Sequence, residues 1–568
     1  MGEHPAGRER VILSATLDRF FAQYFARHPV TATFTGVHEY DDRLPDWSAV
    51  ARQQDMSEMR ALHADLSAHH PLPAGGMGEL RANATLLDAE LARANLDVRM
   101  AECESGHFQE RNPALWTGEA IFGAVSLMIR PFAPVDARVS SLRRRLAAIP
   151  AFLAEMRSVI DGPVPATWRL RAIKECEAAR QLFSDGLRQW CASAGTHDVA
   201  TSAEAAAARD AFAECATWLA ERNVAHDGAY SCGEGLLHTL LRRGHFSESS
   251  PRALLSEAMA AMEEESARLT QALAPYGGSW SAAQAAMSDE RCAMQEYYGA
   301  FEQRWREIRD GVTARDVITW PDWPIRYVPI PAWARVAAPQ LYWLFYRSPA
   351  PCDAYTTHEY VVTPIDDNMA PDVQDARLAA WNRSVITLNH VVHHGGLGHH
   401  VQNWNAIHRS RTRVGVIAAV DAASRIGMFL GGSMAEGWAC YATGLAGELD
   451  LLSPLEQLSE QHTRVRLLAR AIVDLHLHLG DWTFDECARY YMTHAGMSTD
   501  VALGETTKNS MFPATALMYW LGTKGILDLR SQQQRTKGSS FSHRAFHDEL
   551  LSRGSIPVLL VSQLMSSR

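Results

Sequence analysis

The sequence predicts an all-α protein, mainly helical with few short strands. Three observations predict it. The 568 residues are rich in Ala and Leu, and 47% are hydrophobic against 21% charged, a globular composition. Apolar residues recur at three-to-four spacing over long stretches, the period of a helix with one buried face. Two-residue alternation, the mark of a half-buried strand, is scarce.

The elements follow in chain order. In Ser141–Ile160 the apolar residues are Leu142, Leu146, Ile149, Leu153, Met156 and Ile160, which predicts a helix. Residues 1–311 are read as an N-terminal helical region. The rhythm breaks between Val312 and Pro371, where nine prolines fall. Each proline lacks the N–H that a helix needs and clashes with the preceding turn. Residues 312–371 are therefore read as an irregular segment, with Ile325–Val328 and Tyr360–Thr363 as its strand candidates. Its aromatics (Trp320, Trp323, Trp333, Tyr342, Trp343, Phe345, Tyr346 and Tyr360) either line a pocket or plug the seam between two helical layers. Residues 372–568 return to helix and hold the candidate metal site; Leu467, Leu468, Ala471, Ile472 and Leu475 repeat the helical pattern.

Charge and cysteine usage narrow the function classes. The net charge is −11, so no nucleic-acid partner is expected. No apolar run approaches the ~18 residues of a spanning helix, so no membrane partner is expected either. The opening MGEHPAGRERVILSATLDRFF has no apolar h-region, and Ala6 stands where myristoylation at Gly2 needs Ser or Thr. The nine cysteines are scattered without a C-x-x-C pair, which predicts reduced thiols and a cytoplasmic location.

The strongest chemical signal is NHVVHHGGLGHHVQNWNAIH, Asn389 to His408. It holds His390, His393, His394, His399, His400 and His408, in a chain with 24 histidines overall. Imidazole is the commonest metal ligand and the usual near-neutral acid or base. His390 and His394 are four apart and share a face of a continuous helix, so they can clasp one ion. His393 and His399 are six apart, about 240° of helical rotation, and diverge on an ideal helix. They converge only if Gly395, Gly396 and Gly398 let the backbone kink or bulge.

This segment resembles the signature of the DUF885 family, a group placed among the zincin-like metallopeptidases. The signature reads approximately H-E-x-x-P-G-H-H-x-Q, and His393–Gln402 reads H-H-G-G-L-G-H-H-V-Q. Further blocks resemble the family in order: Pro29–Gly36 and Tyr40–Leu44, Glu436–Tyr441 (E-G-W-A-C-Y), Arg470–Trp482 with Asp474 and His478, Phe512–Gly522 with Pro513 and Tyr519, and Phe546-His547-Asp548 with Leu550, Gly554 and Pro557. The resemblance implies a large zincin-like helical fold with an enclosed cleft and one divalent metal, zinc first, iron or copper next. It makes His393 and His399 motif ligands and Glu436 the third. Two imidazoles and a carboxylate leave a position open for water or substrate.

The resemblance breaks at one chemical position. His394 stands where the family has the Glu that moves protons in zincin hydrolysis. Leu397, Ala514-Thr515, Lys508-Asn509, Thr443 and His476 are further departures. Three readings of His394 stay open: a general base, an extra ligand with His390 completing a His-rich site, or a site dead for hydrolysis and kept for binding. Tyr519 is a candidate oxyanion stabiliser, or simply a buried aromatic. His478 and Asp474, four apart, make a candidate catalytic pair or a structural hydrogen bond. His547 is read as structural. Cys440 has no paired base in sequence, and neither Gly427–Gly432 nor Gly522–Gly525 completes a phosphate loop.

The expected function is metal-dependent, hydrolase-like chemistry on the amide or ester bond of a small molecule or short peptide. The alternatives are a non-hydrolytic metalloenzyme (lyase, isomerase or oxidative) and a ligand-binding protein without turnover.

Overall fold

The computed structural model describes residues 5–69, 76–335, 337–338, 346–347, 350–353, 358–366, 368–419 and 427–566. Helices dominate them, as the periodicity predicts. The helix expected over Ser141–Ile160 runs Val135–Val159 and carries Pro150 inside it. The late apolar pattern belongs to a long helix, Pro454–Leu479.

Three short strands form one sheet inside the proline-rich segment: β1 (Ile325–Pro329), β2 (Tyr346–Arg347) and β3 (His358–Val362). The order is β1-β3-β2; β1 runs parallel to β3, pairing Tyr327 with Tyr360, and β2 runs antiparallel to it. Trp333 and Tyr360 are buried in the two main cores and Trp320 packs against one of them, so these aromatics fill the seam. Tyr342, Trp343 and Phe345 lie outside the described residues.

Each of the two large cores joins residues before 311 to residues after 372. One runs from Val98 through Met262 to Leu521; the other runs from Leu13 through Tyr297 to Met565. A buried cation helps lock the N-terminal part. Arg145 gives its guanidinium N–H groups to the carbonyls of Pro29, Tyr40, Arg43 and Gly123 and to the hydroxyls of Thr33 and Ser126.

The C-terminal helices position the histidine segment. Pro454–Leu479 starts in a capping box, with Ser453 and Glu456 exchanging hydrogen bonds. Glu456 is fully buried and does more than cap. Its carboxylate also accepts from Arg304 (3.1 Å), Arg383 (3.2 Å) and Thr387 (2.6 Å). Thr387 lies in the wide π-type turn Ile386–Gly395, so one carboxylate fixes the helix carrying His393 to the long helix behind it.

Candidate metal centre

The glycines break the helix as the spacing required. Ile386–Gly395 winds as π-helix, and a new helix, His399–Arg409, starts after three intervening residues. A Cβ on Gly398 would lie 2.0 Å from the His393 carbonyl oxygen, and one on Gly396 would lie 2.8 Å from that of Val391. Backbone meets backbone there, so only glycine fits. Gly398 N–H donates to Val392 O (2.8 Å). Two indoles clamp the break: Trp305 donates to Gly395 O (2.7 Å) and Trp438 to Leu397 O (2.8 Å).

The break turns His399 back toward His393. Among the described residues one group of donor side chains converges: the nitrogens of His393, His394 and His399 all lie within 4.8 Å of one another. Glu436 enters from helix Gly432–Glu448. Its Oε2 stands 3.3 Å from His393 Nε2 and 3.5 Å from His399 Nε2. That oxygen is buried and makes no well-formed hydrogen bond, which is the state of a ligand atom aimed at a shared point. The carboxylate helix reaches this place through a close crossing. A Cβ on Gly437 would fall 2.5 Å from Gly522 Cα on helix Met518–Lys537.

Burial pushes the imidazoles of His393 and His394 below their ordinary value, and the neighbouring imidazoles add to it. Both rings are therefore neutral at pH 7 and keep lone pairs for a metal. His394 is only half-buried. Its Nδ1 lies 2.5 Å from Asn389 O and donates to it, so the lone pair sits on Nε2. The donor set, three nitrogens and a carboxylate oxygen, fits a divalent cation of the zinc, iron or copper kind.

The other expected site residues lie elsewhere. His390 does not join the pole. Its Nδ1 is bonded to the Tyr360 hydroxyl, its ring stacks on Trp381 at 4.3 Å, and Tyr360 contacts both His390 and His394. The four-residue spacing put both histidines on one face, and a tyrosine from β3 took one of them. His478, expected as catalytic, is tied at both ring nitrogens: Nε2 donates to Asn509 O (3.0 Å) and Nδ1 accepts from Cys232 N–H (3.2 Å). Asp474 lies 3.6 Å from it but spends its oxygens on the N–H groups of Ala514 and Leu517. His547 bridges Val317 O and the Tyr441 hydroxyl, a structural role as expected. Of the departures, Ala514 occupies a left-handed conformation (φ 60°) and His476 stacks on Trp482.

Tyr519 lies under the Arg470 guanidinium, 5.2 Å from ring centre to Cζ. Arg470 opens the Arg470–Trp482 block, but motif reading assigned it no role at the site. It is held by two 2.8 Å hydrogen bonds to Glu505, and its charge acts on His393 and Cys440. Cys440 was also missed as a neighbour: its Sγ stands 4.0 Å from His393 Nδ1. Its place one helical turn after Glu436 was the available signal.

A mainly helical fold with a His₃–carboxylate pole defines a candidate metalloprotein. Its family is plain: residues 29–565 match the family model described as bacterial protein of unknown function (DUF885), and the chain belongs to that family. No curated protein matches the chain. Among solved structures, it is similar to a candidate lipoprotein of unknown function from Shewanella oneidensis (TM-score 0.75, 20% identity), covering 98% of this chain and 100% of that one. A candidate lipoprotein from Colwellia psychrerythraea is similar too (TM-score 0.74, 15% identity), with 98% of each chain covered. These likenesses show the fold. No helix among the described residues is long and apolar enough to cross a membrane, and none of the nine cysteines is in a disulfide.

Proposed function

We propose that this protein is a metal-dependent enzyme acting at the amide or ester carbonyl of a small molecule or short peptide, with His393, His394, His399 and Glu436 holding one divalent ion. The observation that carries the reading is the convergence of three imidazoles within 4.8 Å beside the unsatisfied Glu436 oxygen. A divalent ion bound there supplies Lewis acidity toward a carbonyl oxygen. The protein's own residues do the rest. Asn389 fixes the His394 tautomer with its lone pair on Nε2, and the convergence of that ring with His393 and His399 favours its use as a ligand. Arg470, braced by Glu505, offers a fixed positive charge above the Tyr519 ring, where it can meet negative charge developing on the substrate.

A second reading has its own support. The motif carboxylate that would move the proton in hydrolysis is replaced by His394, whose ring converges with His393 and His399. A lyase, isomerase or oxidative reaction at the same centre does not need a carboxylate to activate water for attack on a carbonyl. His394→Ala and His394→Glu separate the cases. Ligation by His394 predicts lost metal in the alanine variant, while a gain of amide hydrolysis in the glutamate variant marks His394 as standing at the lost base position. Full metal in His394→Ala with abolished turnover would make His394 a base and overturn the assignment. The two likenesses to candidate lipoproteins favour an exported or envelope-anchored setting over the cytoplasmic one expected from the cysteines; cell fractionation decides between them.

A further inference from the structure

Helix Gly432–Glu448 grips one ring of the pole by both edges. Glu436 and Cys440 are four residues apart on it and share a face. Glu436 Oε2 stands 3.3 Å from His393 Nε2, and Cys440 Sγ stands 4.0 Å from His393 Nδ1. Nε2 is the nitrogen on the pole side, and Nδ1 looks away from it. Among the described residues, the Cys440 thiol is the hydrogen-bond partner of that Nδ1. The thiol is buried, and behind it lies a cavity of about 450 Å³ walled in part by Leu467, Leu468 and Trp520. Cys440 therefore closes off the outer edge of the ring.

A neutral imidazole keeps a lone pair on one nitrogen and a proton on the other. For His393 to give Nε2 to an ion, its proton must sit on Nδ1, and that N–H needs an acceptor. His394 meets the same need with a backbone carbonyl, Asn389 O, which accepts and cannot donate. His393 has a thiol instead, which is a weak acceptor and also a weak donor. The thiol accepts from Nδ1–H when Nε2 is offered to an ion. It donates to a bare Nδ1 when the ring proton lies on Nε2, toward Glu436. The two rings are braced unequally: His394 is held in one tautomer, while the partner of His393 suits both.

We propose that Cys440 is a positioning residue of the metal centre: its thiol holds the His393 ring with Nε2 toward the pole and accepts the Nδ1 proton when Nε2 takes the ion. This rests on the metal-enzyme reading. The role belongs to hydrogen bonding at sulfur and not to the filling of space. Serine, which donates and accepts, can take it over; valine, which does neither, cannot.

The test compares the full-length protein with Cys440→Ser, Cys440→Val and Cys440→Ala. Each is stripped by chelation, and its zinc affinity is measured by competition with a chromophoric chelator. Cys487→Ala, which alters a fully buried thiol on helix Phe484–Ala495, is the control. Zinc affinity is expected to fall about tenfold or more in Cys440→Val and Cys440→Ala, as on losing the outer partner of a ligating histidine, and to stay within about threefold in Cys440→Ser. The control should match the unmodified protein. Cobalt(II) loading gives a second readout: its absorption bands should move in Cys440→Val and return in Cys440→Ser. Circular dichroism of the metal-free proteins checks the fold, and Cys440→Ala serves if the valine variant unfolds. Unmodified affinity in Cys440→Val and Cys440→Ala, or equal losses with serine and valine, would overturn the role of the thiol and leave the metal-enzyme reading standing. No metal uptake by the unmodified protein would sink that reading and this inference together.

Discussion

Two buried polar clusters sit in this protein and are completed in opposite ways. Around Arg145 every guanidinium N–H group finds an acceptor, four carbonyls and two hydroxyls, and the side chain is 0% exposed. At the pole, three imidazoles and Glu436 Oε2 converge, and that oxygen makes no well-formed hydrogen bond. The first cluster is a closed account of donors and acceptors, as a structural network should be. The second collects acceptors around a point, an arrangement that a bound cation would complete. The difference teaches how to separate structure from function among buried polar groups: ask whether the partners are already inside the fold.

The comparison can be broken most forcefully at Arg145. Arg145→Ala removes the one donor that six acceptors share and is expected to cost about 3–5 kcal/mol in denaturant unfolding. Glu436→Gln in metal-free protein is expected to cost about 1 kcal/mol or less, because it keeps the shape and removes a buried charge whose Oε2 makes no well-formed hydrogen bond. Equal losses would erase the distinction.

Acid sharpens it next. His245, His478 and His547 are fully buried, are bonded to backbone carbonyls, and are pushed down to about 4, chiefly by burial. The unfolded chain binds their protons near 6.5, so their contribution is full above about pH 6.5 and is lost as pH falls toward about 4. The slope is about 1.4 kcal/mol per pH unit for each histidine. Unfolding free energy measured from pH 7 to pH 5 should fall steeply, and His478→Gln should make the fall shallower.

The smallest effect lies at Ala514, held at φ 60° where the resembled motif has glycine. Its N–H is fixed by Asp474 and its carbonyl by His245. Ala514→Gly relieves the left-handed strain and gives up one buried methyl, so a gain of about 0.5 kcal/mol is expected in thermal or denaturant unfolding.

Much of this was legible before any coordinates. Helical spacing found the Val135–Val159 helix, and alternation found β1 and β3 to within two residues. The glycines between His393 and His399 announced the break that joins them. What stayed hidden depends on distance along the chain. Arg143, Arg144 and Arg145 are consecutive and look alike, yet the first two are 46% and 56% exposed while the third anchors a core. His390 and His394 obey the four-residue rule, but Tyr360 arrives from 30 residues away and claims one ring. Arg470 acts on His393 from a separate helix, which no local pattern records.

Metal content tests the central claim most directly. The protein is purified without nickel chromatography and compared by elemental mass spectrometry with His393→Ala, His394→Ala, Glu436→Ala and His478→Gln. The account predicts close to one equivalent of zinc, iron or copper per chain, most of it lost in the first three variants and all of it kept in His478→Gln. No metal in the unmodified protein even after titration, or occupancy unchanged in the three pole variants, would contradict it.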